Sequence, residues 1–176
     1  LLLSIIISPV ILFRFGILRS SRVGHFTSNT EIYLCRKKLK LDTKKLNYDF
    51  ISFDSVGISN SFLKKNYKRE INIFPNVIIQ PFYDLLSYLN RKIKFTKKFE
   101  INVLKGFGDR DLDGLLYKIN HSIKFDKNDI SKIEKELQYF GLDLSSKFIC
   151  LDVTDESYLK NTYPLGNWDY HKPRNW

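Results

Sequence analysis

Pro9-Val10-Ile11-Leu12-Phe13-Arg14-Phe15-Gly16-Ile17-Leu18-Arg19-Ser20-Ser21-Arg22-Val23-Gly24-His25 is the stretch on which the reading of the fold turns. Val10 to Phe13 is an uninterrupted β-prone apolar run, the pattern of a strand buried on both faces in a parallel sheet. Pro9 opens it, because proline lacks a backbone N–H and disfavours helix in the residue before it. Arg14 to Phe26 holds two glycines, three arginines and a histidine, which predicts a loop. Thr27-Ser28-Asn29-Thr30-Glu31 then predicts a helix start, a hydroxyl or amide cap with an acid in the first turn. A glycine-containing loop between strand and helix lies at the carboxyl edge of the sheet, where ligands of α/β folds bind. Three guanidiniums beside helix N–H groups there would attract an anion. The loop is neither a dinucleotide fingerprint nor a P-loop, since GxGxxG and GKS/T are both absent. The competing reading is a basic surface turn with a structural histidine.

Towards the amino terminus, Leu1 to Phe13 is apolar apart from Ser4, Ser8 and Pro9. The run falls short of the roughly 20 apolar residues that cross a bilayer. It predicts an interfacial or membrane-inserted helix ending near Ser8, the end of a longer hydrophobic segment. A cleaved signal peptide fits less well, because polarity begins at Arg14 without a small-x-small site. Towards the carboxyl terminus, Ile32, Leu34, Cys35 and Leu39 extend the first helix. Tyr48 to Phe53 reads as a strand, Asn60 to Glu70 as a basic helix, Ile71 to Phe74 as a strand, and Val77 to Leu89 as a helix containing Pro81. Arg91 to Asn120 is irregular. Asp126, with Asp129 three residues on, caps an amphipathic helix with Ile130, Ile133, Leu137 and Phe140 on one face and Gly141 at its end. Lys147 to Val153 reads as another buried strand. Strands alternating with helices predict an α/β fold with a mostly parallel sheet.

The composition agrees. In 176 residues, 43% are hydrophobic and 15% aromatic, which excludes wholesale disorder. Lys+Arg 29 against Asp+Glu 19 leaves a net charge of +10. The chain has no methionine and no alanine and opens on Leu1, so a piece of a longer protein is expected. Enrichment in Lys, Asn, Ile and Phe fits low-GC coding drift, so part of the charge needs no polyanionic partner. Cys35 and Cys150 stand far apart without a CxxC neighbour, which argues against a zinc site or disulfide framework and predicts reduced, buried thiols in a cytoplasmic protein.

Four patches in order carry a resemblance. Arg14-Phe-Gly-Ile-Leu-Arg19-Ser-Ser-Arg22-Val-Gly24-His25 with Asn29-Thr-Glu31-Ile-Tyr33-Leu is the first. Arg110-Asp111 with Gly114-Leu-Leu is the second, Phe148-Ile-Cys-Leu151 with Asp155-x-x-Tyr158-Leu the third, and Tyr170-His171-x-x-Arg174-Asn175 the fourth. Over nearly its whole length the chain resembles bacterial glycosyltransferases of the two-Rossmann-domain GT-B class that build surface polysaccharide and lipopolysaccharide. With the apolar run over 1–8 read as the end of a hydrophobic, membrane-associated segment, the resemblance implies a Rossmann-like acceptor domain over 9–143 and the first strand and loop of a truncated donor domain over 144–176. It implies sugar transfer from a nucleotide sugar to a glycan or lipid-linked acceptor, with no cofactor beyond that co-substrate. Transfer needs a base for the acceptor hydroxyl and donors that stabilise the departing diphosphate. His25 is the first candidate base and Asp111 the second; Arg19, Arg22, Asn29, Glu31 and Arg110 would bind substrate. Asp155, Tyr158, His171, Arg174 and Asn175 would bind the donor. The family usually has arginine where this chain has Thr154, which removes one cation. The piece alone is expected to be inactive.

Two metal patterns compete. Asp111-Leu112-Asp113 satisfies the DxD form, and Asp109-x-Asp111-x-Asp113-Gly114 begins like a calcium loop but has Asn120 where the bidentate glutamate belongs. No metal is expected. Two other functions stay open: a degenerate relative that binds glycan without transferring it, and a basic nucleic-acid module, against which stands the absence of any RNA-binding signature. The charge and the apolar amino terminus together also predict peripheral contact with an anionic membrane at its inner face.

Overall fold

The computed structural model describes residues 2–43, 45–104, 111–147, 149, 157–162, 164–167 and 169. Two compact units divide the chain, Leu1–Lys124 and Phe125–Trp176.

The first unit is α/β. A six-residue helix α1 (Leu2–Ile7) precedes strand β1 (Ile11–Leu18), helix α2 (Val23–Lys38) and strand β2 (Leu46–Phe53). The two strands pair in parallel from Ile11 opposite Leu46 to Leu18 opposite Phe53, with α2 as the crossover. Single-residue parallel bridges extend the sheet on each side, Glu100 beside Phe15 and Ile73 beside Ile51. Across the sheet the order is therefore Glu100, β1, β2, Ile73, and chain direction of travel reverses beside β1.

Helices α3 (Ser61–Glu70) and α4 (Asn76–Asn90) follow β2, then 3-10 turns at Lys94–Phe99 and Asn102–Leu104 and a four-residue helix α5 (Leu115–Lys118). Asn60 starts α3 by accepting from the Leu63 amide at 3.0 Å. Leu18 packs with Phe26, Tyr33 and Leu34 of α2 and with Leu63 and Tyr67 of α3. Phe15 and Ile17 instead join Ile79 and Leu86 of α4 and Phe99. Phe15 lies between the stacked rings of Phe50 and Phe82, with centroids 5.3 and 5.5 Å away. Helices thus cover both faces of the small sheet, as parallel strands require.

Three expectations need correction. Arg14 to Leu18 is strand, not loop. Arg14 is 4% exposed, and its charge, which reads as loop, is paired internally with Asp49 and Asp42. Gly16 sits where Ile101 and Leu104 cross the strand; a Cβ there would lie 2.8 Å from Leu104 Cδ1 and 3.1 Å from Ile101 Cβ. Second, α2 begins at Val23 rather than near Thr27. Phe26 and every residue from Asn29 to Cys35 are buried, so this helix has no polar stripe to reveal its period. Third, Ile71 to Phe74 contributes only the bridge at Ile73, secured by the Phe74 amide donating to Ile51 O at 2.8 Å.

In the second unit, α6 (Lys127–Tyr139) has the expected capping box: Asp126 Oδ1 accepts from the Asp129 amide at 2.9 Å, and Asp129 Oδ2 from the Asp126 amide at 3.1 Å. Gly141 ends it at φ 72°. A short α7 spans Ser157–Thr162. The strand expected over Lys147 to Val153 falls mostly outside the described residues. Among the described residues no helix is long and apolar enough to cross a membrane.

Candidate functional site

Ser20 and Ser21 follow β1 and are buried at the carboxyl edge of the sheet. One carboxylate organises this turn. Asp54 Oδ2 accepts from the Ser21 amide (3.1 Å) and Ser21 Oγ (2.7 Å), while Oδ1 accepts from the Gly57 amide (3.2 Å). Ser20 Oγ donates to Gly57 O at 2.8 Å, and Ser20 O accepts from both Ser59 N and Ser59 Oγ at 2.8 Å. The turn after β1 is thereby tied to the loop after β2. With the serines held inward, Arg19 is exposed and Arg22 and His25 are half-buried.

Arg22 is the N-cap of α2, with φ −122° and ψ 114°, and its side chain makes no capping hydrogen bond; no acid lies in the first turn. The helix start therefore has no capping side chain and no acid of its own, and the Asp54 carboxylate is bonded to Ser21 just before the N-cap. Arg19 acts in the other direction along the edge: burial and then the Glu100 carboxylate push the Tyr83 phenol up, and Arg19 opposes them.

Asn29 and Glu31 are not at this edge. They lie inside α2, 1% and 4% exposed, and Glu31 Oε2 accepts from the Ser122 amide at 2.9 Å. Burial and the Glu31 charge hold the Tyr67 phenol above its usual range. Cys35 is a free, buried thiol raised by burial and by Glu31; Cys150 lies outside the described residues.

Asp111 is at the opposite end of α2 from His25. Its oxygens accept from the Leu115 and Leu116 amides at 2.7 and 2.8 Å, which starts α5. Leu115 packs against Ile32 and Cys35, and Asp113 pairs with Arg36 at 3.4 Å. From His25 to Arg36 the helix advances about 16 Å. The structure therefore gathers Arg19, Arg22 and His25 on one edge and leaves Asp111 on the other. Arg110, Asp155, His171, Arg174 and Asn175 lie outside the described residues, and Tyr158 falls within α7. The DxD aspartates are engaged with amides and a guanidinium. Among the described residues, no group of three or more His, Cys, Asp or Glu could hold a metal ion.

Asp111 lines a cavity of about 630 Å³ at the amino edge, with Arg36, Asp42, Lys45, Lys97 and Lys98 among its walls. Beside it runs a network absent from the sequence reading. Arg14 Nε and Nη2 donate to Asp49 Oδ1 and Oδ2 at 2.7 and 2.9 Å, and Nη1 to Asp42 Oδ2 at 2.9 Å. Tyr33 Oη donates to Asp49 at 2.6 Å and Arg36 Nε to Asp42 at 2.6 Å. Burial works to raise the Asp49 pKa, but the hydrogen bonds from Arg14 and Tyr33 and the Arg14 charge hold it below the ordinary range. Arg14 is thus a structural cation rather than part of an anion site. The Lys97-Lys98 doublet was the local signal for the amino-edge cations, but nothing local pairs it with Lys45.

The chain matches no protein-family model, no curated protein and no solved structure.

Proposed function

We propose that this chain is the acceptor-side, Rossmann-like part of a glycosyltransferase that moves sugar from a nucleotide donor to a glycan or lipid-linked acceptor. One observation carries the reading: Arg19, Arg22 and His25 all fall on the strand–turn–helix junction at the carboxyl edge, beside a helix start without a side-chain cap. In such a site His25 takes the proton of the acceptor hydroxyl as its oxygen attacks the anomeric carbon. The glycosidic bond to phosphate breaks with its electron pair, and the departing nucleoside diphosphate is met by guanidinium and helix N–H groups. Imidazole changes charge around neutral pH, which suits it to that exchange. The strand order, reversing beside β1, is the arrangement in which α/β folds open a ligand crevice at this edge. The resemblance assigns the donor side to Asp155, Tyr158, His171, Arg174 and Asn175. The test is nucleoside diphosphate release by the complete protein from a panel of sugar nucleotides, with and without acceptor glycans. Acceptor-dependent release supports the reading.

A second reading, glycan binding without transfer, draws on Asp111. Its carboxylate serves backbone amides at the far end of α2, which removes the second candidate base, and Thr154 stands where the resemblance expects a cation for the donor phosphate. Saccharide binding with no diphosphate release from any donor is its expected outcome.

A further inference from the structure

We infer that the amino edge of the first unit is a docking surface for an anionic lipid bilayer. In α1, Ile5 turns inward to the cluster of Leu12, Phe15, Leu86 and Phe99. Leu3, Ile6 and Val10 face outward, 66%, 73% and 71% exposed. The 3-10 turn Lys94–Phe99 adds Phe95, 52% exposed.

Ammonium groups converge on the same place. Lys98 Nζ donates to Ser8 Oγ at 2.9 Å and Lys45 Nζ to Ser8 O at 3.3 Å. Lys97 lines the cavity that both share, and Lys98 Nζ lies 3.8 Å from the centre of the Phe95 ring. Among the described residues none of these three lysines makes an ion pair. Burial, and then the charge of Lys45, hold the Lys98 ammonium below its usual range, and an anion beside Lys98 would offset the repulsion from Lys45.

Outward aliphatic side chains beside lysines that reach Ser8 and make no ion pair among the described residues match a bilayer surface, whose apolar layer lies under anionic headgroups. A nucleic acid would use the lysines but has no partner for Leu3, Ile6 and Val10. Docking here also leaves the carboxyl edge facing away, since β1 separates the two edges by about 23 Å. The surface is independent of sugar transfer: binding to lipid requires no donor.

The experiment is sedimentation of the 176-residue chain with vesicles of phosphatidylcholine alone and of phosphatidylcholine containing phosphatidylglycerol, at low and high salt. Binding to the phosphatidylglycerol vesicles, weakened by salt, is expected. Lys45→Gln/Lys98→Gln should weaken it about tenfold or more, and Ile6→Glu likewise, with helical circular dichroism retained. Lys65→Gln/Lys68→Gln on α3 removes equal charge and should change it less than about twofold. The inference is overturned if the chain ignores phosphatidylglycerol vesicles, if the α3 pair weakens binding as much as Lys45→Gln/Lys98→Gln, or if Ile6→Glu only splits a dimer or bares a site for another segment of the chain while lipid binding is unchanged.

Discussion

The guanidinium of Arg14 is held by carboxylates 28 and 35 residues away, Asp42 and Asp49, with side-chain exposures of 5% for Arg14 and 2% for Asp49. Removing one partner of so enclosed a pair leaves an uncompensated charge. Arg14→Met is therefore expected to destabilise the first unit by about 3–5 kcal/mol, read as a lower urea midpoint. The same network sets an acid limit. The folded pKa of Asp49 lies below its unfolded value of about 3.9, so its stabilisation is present above that value and is lost progressively as pH falls below it through the folded pKa. The urea midpoint should drop between pH 5 and pH 3, and Asp49→Asn should flatten that drop; an unchanged slope would contradict the assignment. Gly16→Ala should destabilise by about 1–3 kcal/mol, since the new methyl meets Ile101 and Leu104 at sub-contact distance. Neither role was legible locally. An arginine and a glycine after four apolar residues read as the end of a strand, and only partners distant in sequence make them its middle.

Elements with their own start signals were legible, and those without were not. Asn60 and Asp126 carry the side-chain oxygens that begin α3 and α6, and both helices start where the sequence puts them. Asp126→Ala should cost about 1 kcal/mol of stability, seen as loss of helical circular dichroism at lower temperature. Helix α2 has Arg22 where a capping residue belongs, and its buried length hides its period. Its N-cap dihedrals are already those of a capped helix, so Arg22→Asp should stabilise the unit by about 0.5–2 kcal/mol. It should also abolish anion binding at the carboxyl edge. A raised melting temperature with unimpaired diphosphate binding would show that the uncapped start serves no ligand. Among candidate residues, the grouping of Arg19, Arg22 and His25 was legible because seven consecutive positions hold it. The burial of Asn29 and Glu31 was not, because α2 carries them into the core.

Over the whole first unit, the parallel pair β1–β2 with helices on both faces gives it two unlike ends. The carboxyl edge gathers Arg19, Arg22 and His25, and the amino edge carries Leu3, Ile6 and Val10 with Lys45 and Lys98. The net charge of +10 is thus not a uniform polyanion-binding field, and heparin retention should vanish at modest salt without preference among oligonucleotides. The most direct measurement of the central claim is nucleoside diphosphate release by the complete protein from a panel of sugar nucleotides with acceptor present. The account predicts acceptor-dependent release that His25→Ala lowers at least about a hundredfold in kcat. Release that His25→Ala and Arg22→Ala leave untouched, or none with any donor, would contradict it.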